Sequence, residues 1–157
     1  IYADWYNRLM PYHVSQVVII FTANDLTKRG RVVFSVAVVE DDPITLDLIT
    51  DALETQLDAT VYPFTRSKFA RDFLLQQTAE SISLIISDQV MPDYDGLSLL
   101  KTCQSSGLDV PFLLIAADPN KELVIEARKL QVTGFLAKPL NMEELVQKSR
   151  EAVSQAS

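Results

Sequence analysis

Apolar runs and segments of helical periodicity alternate along the chain from about residue 34. Five short runs rich in Val, Ile, Leu and Phe predict β-strands, and the segments between them carry apolar residues at the spacing of amphipathic helices. The predicted strands are residues 34–39, 59–62, 83–87, 111–115 and 132–136. The predicted helices are residues 43–56, 66–78, 95–106, 119–130 and 141–155. Strand–helix units with short connections favour a parallel sheet that is covered on both faces.

The predicted helix ends carry capping signals that support these boundaries. Asp42 precedes Pro43, a residue suited to the first helical position, and Asn141 stands before the acidic first turn of the last helix. Gly107 follows the third helix, where a glycine commonly ends a helix. We therefore predict an α/β fold, a doubly wound five-stranded parallel sheet in the order 2-1-3-4-5, which is a flavodoxin-like (βα)5 arrangement.

Acidic side chains and one lysine follow three of the predicted strands. Glu40, Asp41 and Asp42 follow the first strand, Asp88 follows the third, and Lys138 follows the fifth. In the order 2-1-3-4-5 the first and third strands are neighbours, so Asp41, Asp42 and Asp88 are expected to meet in one crevice. The long side chain of Lys138 is expected to reach Asp88. Because clustered acids repel each other unless a cation lies among them, the pattern favours a divalent-metal and phosphoryl site.

The composition narrows the class of protein. A chain of 157 residues with 48% hydrophobic and 22% charged residues is typical of one soluble globular domain. The net charge of −7 argues against direct nucleic-acid binding, and no apolar stretch is long enough for a membrane span. A single cysteine, Cys103, fits a cytoplasmic protein, and no secretory signal is visible. Residues 34–157 are predicted to form the domain, and residues 1–33 are interpreted as an N-terminal extension or the remnant of an upstream linker.

Three motifs occur in order along this framework. They are Val39-Glu40-Asp41-Asp42-Pro43, Ser87-Asp88-Gln89-Val90-Met91-Pro92-Asp93-Tyr94-Asp95-Gly96 and Phe135-Leu136-Ala137-Lys138-Pro139. Together they resemble the receiver domains of two-component response regulators over about residues 34–156. The resemblance implies that Asp88 accepts a phosphoryl group from the phosphohistidine of a sensor histidine kinase or a phosphotransfer protein. It implies a signalling domain rather than an enzyme, limited to self-phosphotransfer and slow autodephosphorylation.

The same resemblance implies a cofactor and its ligands. Mg²⁺ would be bound by Asp41, Asp42, Asp88 and the backbone carbonyl of Val90. Lys138 would lie beside an oxygen of the phosphoryl group as a compact positive charge. These oxygen ligands agree with the preference of Mg²⁺ for carboxylates and carbonyls.

One position departs from the family pattern. Receivers usually carry Thr or Ser where this chain has Ala116, and that hydroxyl binds a phosphoryl oxygen and moves together with a switch aromatic that matches Phe135. A methyl group can neither donate nor accept a hydrogen bond. Asp88 is therefore still expected to accept a phosphoryl group. The coupling of this phosphorylation to the face formed by the fourth helix, fifth strand and fifth helix is expected to change. A homodimer or an effector domain would use that face.

Other functions are weighed against the phosphoacceptor. The main alternative is a pseudo-receiver, a protein-interaction module that works without phosphorylation, and Ala116 motivates it. A flavin-binding protein is disfavoured, because acids stand after the first strand where a Ser/Thr/Gly-rich phosphate loop is needed. An aspartate-nucleophile phosphatase is disfavoured, because Val90 stands where a second acid is needed.

Overall fold

Residues 34–156 are described by a computed structural model, in which five strands alternate with five helices. The strands are β1 (Ser35–Val39), β2 (Thr60–Phe64), β3 (Leu84–Asp88), β4 (Phe112–Ala116) and β5 (Gly134–Ala137). The helices are α1 (Pro43–Leu57), α2 (Ser67–Leu74), α3 (Gly96–Ser105), α4 (Lys121–Lys129) and α5 (Met142–Ala156). All strand pairs are parallel and the order is β2-β1-β3-β4-β5, which confirms the predicted fold.

The strand register aligns the carboxyl ends of the central strands. Val39 of β1 pairs with Ser87 of β3, and Ala116 of β4 pairs with Ala137 of β5. The residues that follow these strands therefore emerge at one edge of the sheet. That edge is where open α/β sheets bind their ligands.

Two apolar layers, one on each face of the sheet, hold the helices. Helices α1 and α5 cover one face with buried residues that include Leu46, Ile49, Leu53, Leu145 and Val146. Helices α2, α3 and α4 cover the other face with buried residues that include Ala70, Leu74, Leu97, Leu100 and Ala127. Strands β1, β3 and β4 are buried along their whole length. Coverage on both faces explains why their sequences are almost continuously apolar.

Side-chain caps fix the start of the two helices that follow β1 and β3. The carboxylate of Asp42 accepts a hydrogen bond from the Thr45 amide at 3.1 Å, and Pro43 is the first helical residue of α1. The carboxylate of Asp95 accepts a hydrogen bond from the Ser98 amide at 2.7 Å at the start of α3. Capping satisfies amide groups that have no partner within the helix.

Several element ends differ from the prediction, and the differences at the ends of α2 and β2 have a physical reason. Helix α2 ends at Leu74 instead of residue 78, because Leu74 is its last buried residue and the next amides close tight turns. Gln76 and Gln77 donate to the carbonyls of Phe73 and Leu74, three residues earlier. Strand β2 runs past Pro63 to Phe64, which is tolerated because β2 is an edge strand.

Within residues 34–156, none of the helices has the length and apolar character of a transmembrane segment. The predicted N-terminal extension, residues 1–33, lies outside the described residues, as does Ser157. The assignment of residues 1–33 stays a prediction.

Candidate functional site

Three carboxylates converge at the carboxyl edge of the sheet. Glu40 and Asp41 directly follow β1, and Asp88 is the last residue of β3. One oxygen atom from each carboxylate lies within 4.8 Å of the others. The parallel pairing of β1 with β3 explains this convergence, because it brings the ends of both strands to the same level. Asp88 is buried and Asp41 is exposed, so the cluster is open to solvent on the side of Asp41.

Asp42 lies outside this cluster because its carboxylate caps α1. Its Oδ2 accepts hydrogen bonds from the Thr45 hydroxyl at 2.5 Å and from the Thr45 amide at 3.1 Å. These two hydrogen bonds hold the pKa of Asp42 below its ordinary value. The structure therefore groups Glu40, which the sequence reasoning did not select, with Asp41 and Asp88. Pro43 was the available signal, since a proline at the first helical position marks the preceding residue as the cap.

Glu40 is completely buried beside the edge of the sheet. Its Oε1 accepts a hydrogen bond from the Asp42 amide at 3.1 Å. Its Oε2 has no hydrogen-bond partner and lies 3.3 Å from Nζ of Lys138 in a salt bridge. Burial raises the pKa of Glu40, although the Asp42 amide opposes the rise, and the charge of Asp88 adds to it.

Lys138 joins the cluster from the far side of β4. It follows β5 directly, and its Nζ donates a hydrogen bond to Oδ2 of Asp88 at 2.5 Å. Its backbone amide donates to the carbonyl of Ala116 at 3.1 Å, and the Lys138–Pro139 peptide bond is cis. Burial alone would lower the pKa of Lys138, but the hydrogen bond and charge of Asp88 outweigh it and raise the pKa. The ammonium group is therefore held in its charged form against the carboxylates.

The loop after β3 brings the backbone of Val90 next to Asp88. The Val90 amide donates to Oδ1 of Asp88 over 3.4 Å. The side chain of Val90 is 78% exposed. The role of the Val90 carbonyl as a metal ligand stays a prediction.

The two predicted switch residues lie on paired strands. Ala116, the last residue of β4, is buried, and its side chain ends in a methyl group where a hydroxyl was expected from the family pattern. Phe135 of β5 is partly buried and packs against the apolar layer beneath α3 and α4. Its carbonyl accepts a hydrogen bond from Nζ of Lys148 in α5 at 2.6 Å. The side chain of Phe135 is therefore fixed by packing, and its backbone carbonyl is fixed by a hydrogen bond from α5.

The donor set of the cluster fits a hard divalent cation. Carboxylate oxygens are the ligands that Mg²⁺ prefers. The buried Oε2 of Glu40 lacks a hydrogen bond and has Lys138 as its ionic partner, and a bound cation would be a second partner for it. A cation would also offset the repulsion between the three carboxylates, of which Glu40 and Asp88 form salt bridges with Lys138.

Comparisons with known proteins point to one family. The family model described as response regulator receiver domain matches residues 36–150. The rice protein named two-component response regulator ORR21 (Oryza sativa subsp. indica) is 36% identical over 112 residues, which are 70% of this chain and 16% of the rice protein. The transcriptional regulatory protein FixJ of Bradyrhizobium diazoefficiens is 29% identical over 131 residues, 83% of this chain and 60% of FixJ. The chain thus spans less than two thirds of the length of either relative.

Solved structures show the same fold. The receiver domain of the Francisella response regulator 1452 superposes with a TM-score of 0.71 at 24% identity, covering 78% of this chain and 98% of that chain. A CheY-like receiver domain protein from Methanospirillum hungatei superposes with a TM-score of 0.72 at 18% identity, covering 79% and 96%. With the family model matching residues 36–150, this chain belongs to the response regulator receiver domain family of two-component signalling.

Proposed function

We propose that the domain accepts a phosphoryl group on Asp88 from the phosphohistidine of a sensor histidine kinase or a phosphotransfer protein. Asp41, Asp88, the Oε2 of Glu40 and the backbone carbonyl of Val90 would hold the Mg²⁺ that the reaction needs. The observation that carries the proposal is the contact of Asp88 with Lys138 inside a cluster of two further carboxylates. A buried carboxylate with one ammonium partner and room for a cation is suited to phosphoryl transfer.

Asp88 and Lys138 have different roles in the proposed phosphoryl transfer. A carboxylate oxygen of Asp88 attacks phosphorus, a P–O bond forms, and the P–N bond to the donor imidazole breaks with its electron pair left on nitrogen. A carboxylate oxygen carries the attacking electron pair itself, so the step needs no separate general base. The ammonium of Lys138, now 2.5 Å from Asp88, turns to the oxygens of the incoming group. Mg²⁺, when bound, supplies positive charge that offsets repulsion between carboxylates and phosphoryl oxygens.

Exposed apolar side chains near the site support a protein as the phosphoryl donor. Ile44 and Leu48 lie one turn apart on α1 and are 73% and 55% exposed. Val90, two residues after Asp88, is exposed as well. Apolar residues that stay exposed beside a functional site are typical of a protein-binding surface. The output surface that we propose, for a homodimer or an effector domain, is the face of α4, β5 and α5.

Labelling with a small acyl phosphate tests the proposal. Incubation with acetyl phosphate and Mg²⁺ is expected to add one phosphoryl group, seen by mass spectrometry as an acid-stable adduct that hydroxylamine removes. Asp88→Asn is expected to abolish the adduct. Asp109→Asn, the same change at an exposed carboxylate outside the cluster, is the control and should label like the wild type. An adduct that survives in Asp88→Asn would contradict the assignment of Asp88.

A second candidate function is a pseudo-receiver that binds partners without phosphorylation. The buried methyl group of Ala116 favours it, because the residue cannot form a hydrogen bond to a phosphoryl oxygen. The same labelling experiment separates the two functions. Absence of both the adduct and Mg²⁺ binding in the wild type would favour the pseudo-receiver.

A further inference from the structure

A buried hydroxyl on α2 holds the loop that follows Asp88. Ser67 is the first residue of α2 and is 1% exposed. Its Oγ donates a hydrogen bond to the Pro92 carbonyl at 2.7 Å and accepts one from the Tyr94 amide at 2.9 Å. A serine hydroxyl has one hydrogen to donate. Ser67 donates it to a loop that lies 25 positions further along the chain.

A charged contact beside Ser67 holds the same loop. The guanidinium of Arg66 binds both oxygens of Asp93, at 2.9 Å to Oδ1 and 3.1 Å to Oδ2. Asp93 has a backbone φ of 75°, in the left-handed region that residues other than glycine rarely adopt. The contacts of Arg66 and Ser67 therefore support a loop conformation that is unfavourable for an isolated chain.

The loop is tied to α3 as well. The Gly96 amide donates to the carbonyl of Gln89 at 3.1 Å, and the Leu97 amide donates to Oε1 of Gln89, also at 3.1 Å. Val90 lies between these contacts and those of Ser67. Its amide reaches Oδ1 of Asp88, so the backbone of the loop and the carboxylate are directly connected.

We propose that Ser67 is a positioning residue for the acceptor site. By fixing the Pro92 carbonyl and the Tyr94 amide, it holds the backbone of Val90 in place beside Asp88. The inference rests on the proposed function, because the Val90 backbone matters when a cation and a phosphoryl group bind at Asp88. It extends the site to α2, an element that supplies none of the clustered acids.

Titration of the full chain with MgCl₂ by calorimetry tests this role. Ser67→Ala is expected to weaken Mg²⁺ binding about tenfold, the lower end of what partners outside the ligand shell contribute. Ser67→Thr keeps a hydroxyl and is expected to restore most of the affinity. Ser149→Ala is the matched control, because Ser149 is also buried and its hydroxyl donates to the Leu145 carbonyl at 2.7 Å within α5. It is expected to lower the melting temperature and leave Mg²⁺ affinity unchanged.

Two results would overturn the inference. One is wild-type Mg²⁺ affinity in Ser67→Ala, and the other is an equal loss of affinity in Ser149→Ala. If Ser67→Ala does not fold, Ser67→Cys keeps the volume while replacing the hydroxyl by a weakly hydrogen-bonding thiol, and wild-type affinity there has the same meaning. Failure of the proposed function gives a different result, since the wild type itself would then take no phosphoryl group from acetyl phosphate.

Discussion

Asp41 and Asp42 are adjacent aspartates with different surroundings. Asp41 belongs to the carboxylate cluster, and Asp42 caps α1 through Thr45. We expect Asp41→Ala to weaken Mg²⁺ binding at least tenfold while changing stability little. Asp42→Ala is expected to lower the melting temperature by about 3 °C through the lost cap and to leave Mg²⁺ affinity near the wild-type value.

Calorimetric titration with MgCl₂ and thermal unfolding in EDTA measure both effects. The two variants are controls for each other, because the same side chain is removed at neighbouring positions. A loss of Mg²⁺ affinity in Asp42→Ala as large as that in Asp41→Ala would return Asp42 to the ligand set.

Glu40 is expected to make stability depend on pH. Its pKa is raised above the ordinary value of 4.5, mainly by burial, so the native state binds this proton more tightly than the unfolded chain does. The contribution of Glu40 to stability is therefore fully present below about pH 4.5 and is lost as pH rises through the raised native pKa. Without Mg²⁺, Glu40→Gln is expected to be more stable than the wild type by about 1 kcal/mol at neutral pH, with a smaller difference in acid.

Urea unfolding in EDTA at about pH 5 and about pH 7.5 measures this difference. Glu54→Gln makes the same chemical change at an exposed position of α1 and is expected to leave stability unchanged. A less stable Glu40→Gln at neutral pH would mean that the salt bridge with Lys138 outweighs the cost of burial.

The site was partly predictable at the level of single residues. The strand order alone places Lys138 within reach of Asp88, and the structure puts Nζ 2.5 Å from the carboxylate. The choice between Glu40 and Asp42 depends on which side chain turns inward and which caps α1. Glu40, Asp41 and Asp42 are consecutive, so periodicity could not separate them. Pro43 marks Asp42 as the helix cap, and a side chain that caps α1 is not available to the cluster.

At the level of elements, α3 lies against β3 and β4 through Gly96. A Cβ atom at this position would lie 2.7 Å from the Asp88 carbonyl and 2.7 Å from Cδ1 of Leu114. We expect Gly96→Ala to lower the free energy of unfolding by about 1–3 kcal/mol, because the backbone of Asp88 must shift. The shift is also expected to slow phosphoryl labelling of Asp88.

Gly107 provides the control for Gly96. Its φ is 87°, and a Cβ atom there would contact nothing within 4 Å. Gly107→Ala is therefore strained by conformation alone, and we expect it to reduce stability without slowing the labelling. Urea unfolding and the rate of acetyl phosphate labelling distinguish the two cases. Normal labelling in a folded Gly96→Ala would show that the site tolerates movement of α3.

Element order was more predictable than element ends. The almost continuously apolar β1, β3 and β4 favour a covered parallel sheet, and the alternation of strands and helices with short connections favours the strand order that the structure has. The end of α2 did not, because Gln76 and Gln77 are compatible with a helix by composition and their amides instead close turns after Leu74. Sequence periodicity does not show where buried contacts stop.

For the whole molecule, the buried methyl group of Ala116 bears on signal transmission. A hydroxyl at this position could donate a hydrogen bond to a phosphoryl group on Asp88, and bonds to charged groups are worth about 1.5–3 kcal/mol. We expect Ala116→Thr to increase the phosphorylation-dependent population shift of the α4–β5–α5 face about tenfold. Hydrogen exchange of Phe135 and its neighbours, with and without acetyl phosphate and Mg²⁺, measures the shift.

Ala116→Val is the control for this prediction. Valine has the shape of threonine without its hydroxyl, so it tests for a purely steric effect. An equal response in Ala116→Val and Ala116→Thr would assign the effect to volume. No change in Ala116→Thr would contradict the expected role of the hydroxyl.

The joint between β1 and α1 is a short connection from the sheet to a helix at the site. It consists of three residues. Glu40 is buried in a salt bridge with Lys138, Asp41 belongs to the carboxylate cluster and is exposed, and Asp42 caps α1. The length of this connection is therefore constrained at both ends, by the carboxylate cluster and by the start of α1. One inserted residue would displace either the helix or the carboxylates, whereas the loops at the opposite edge of the sheet supply none of the clustered carboxylates.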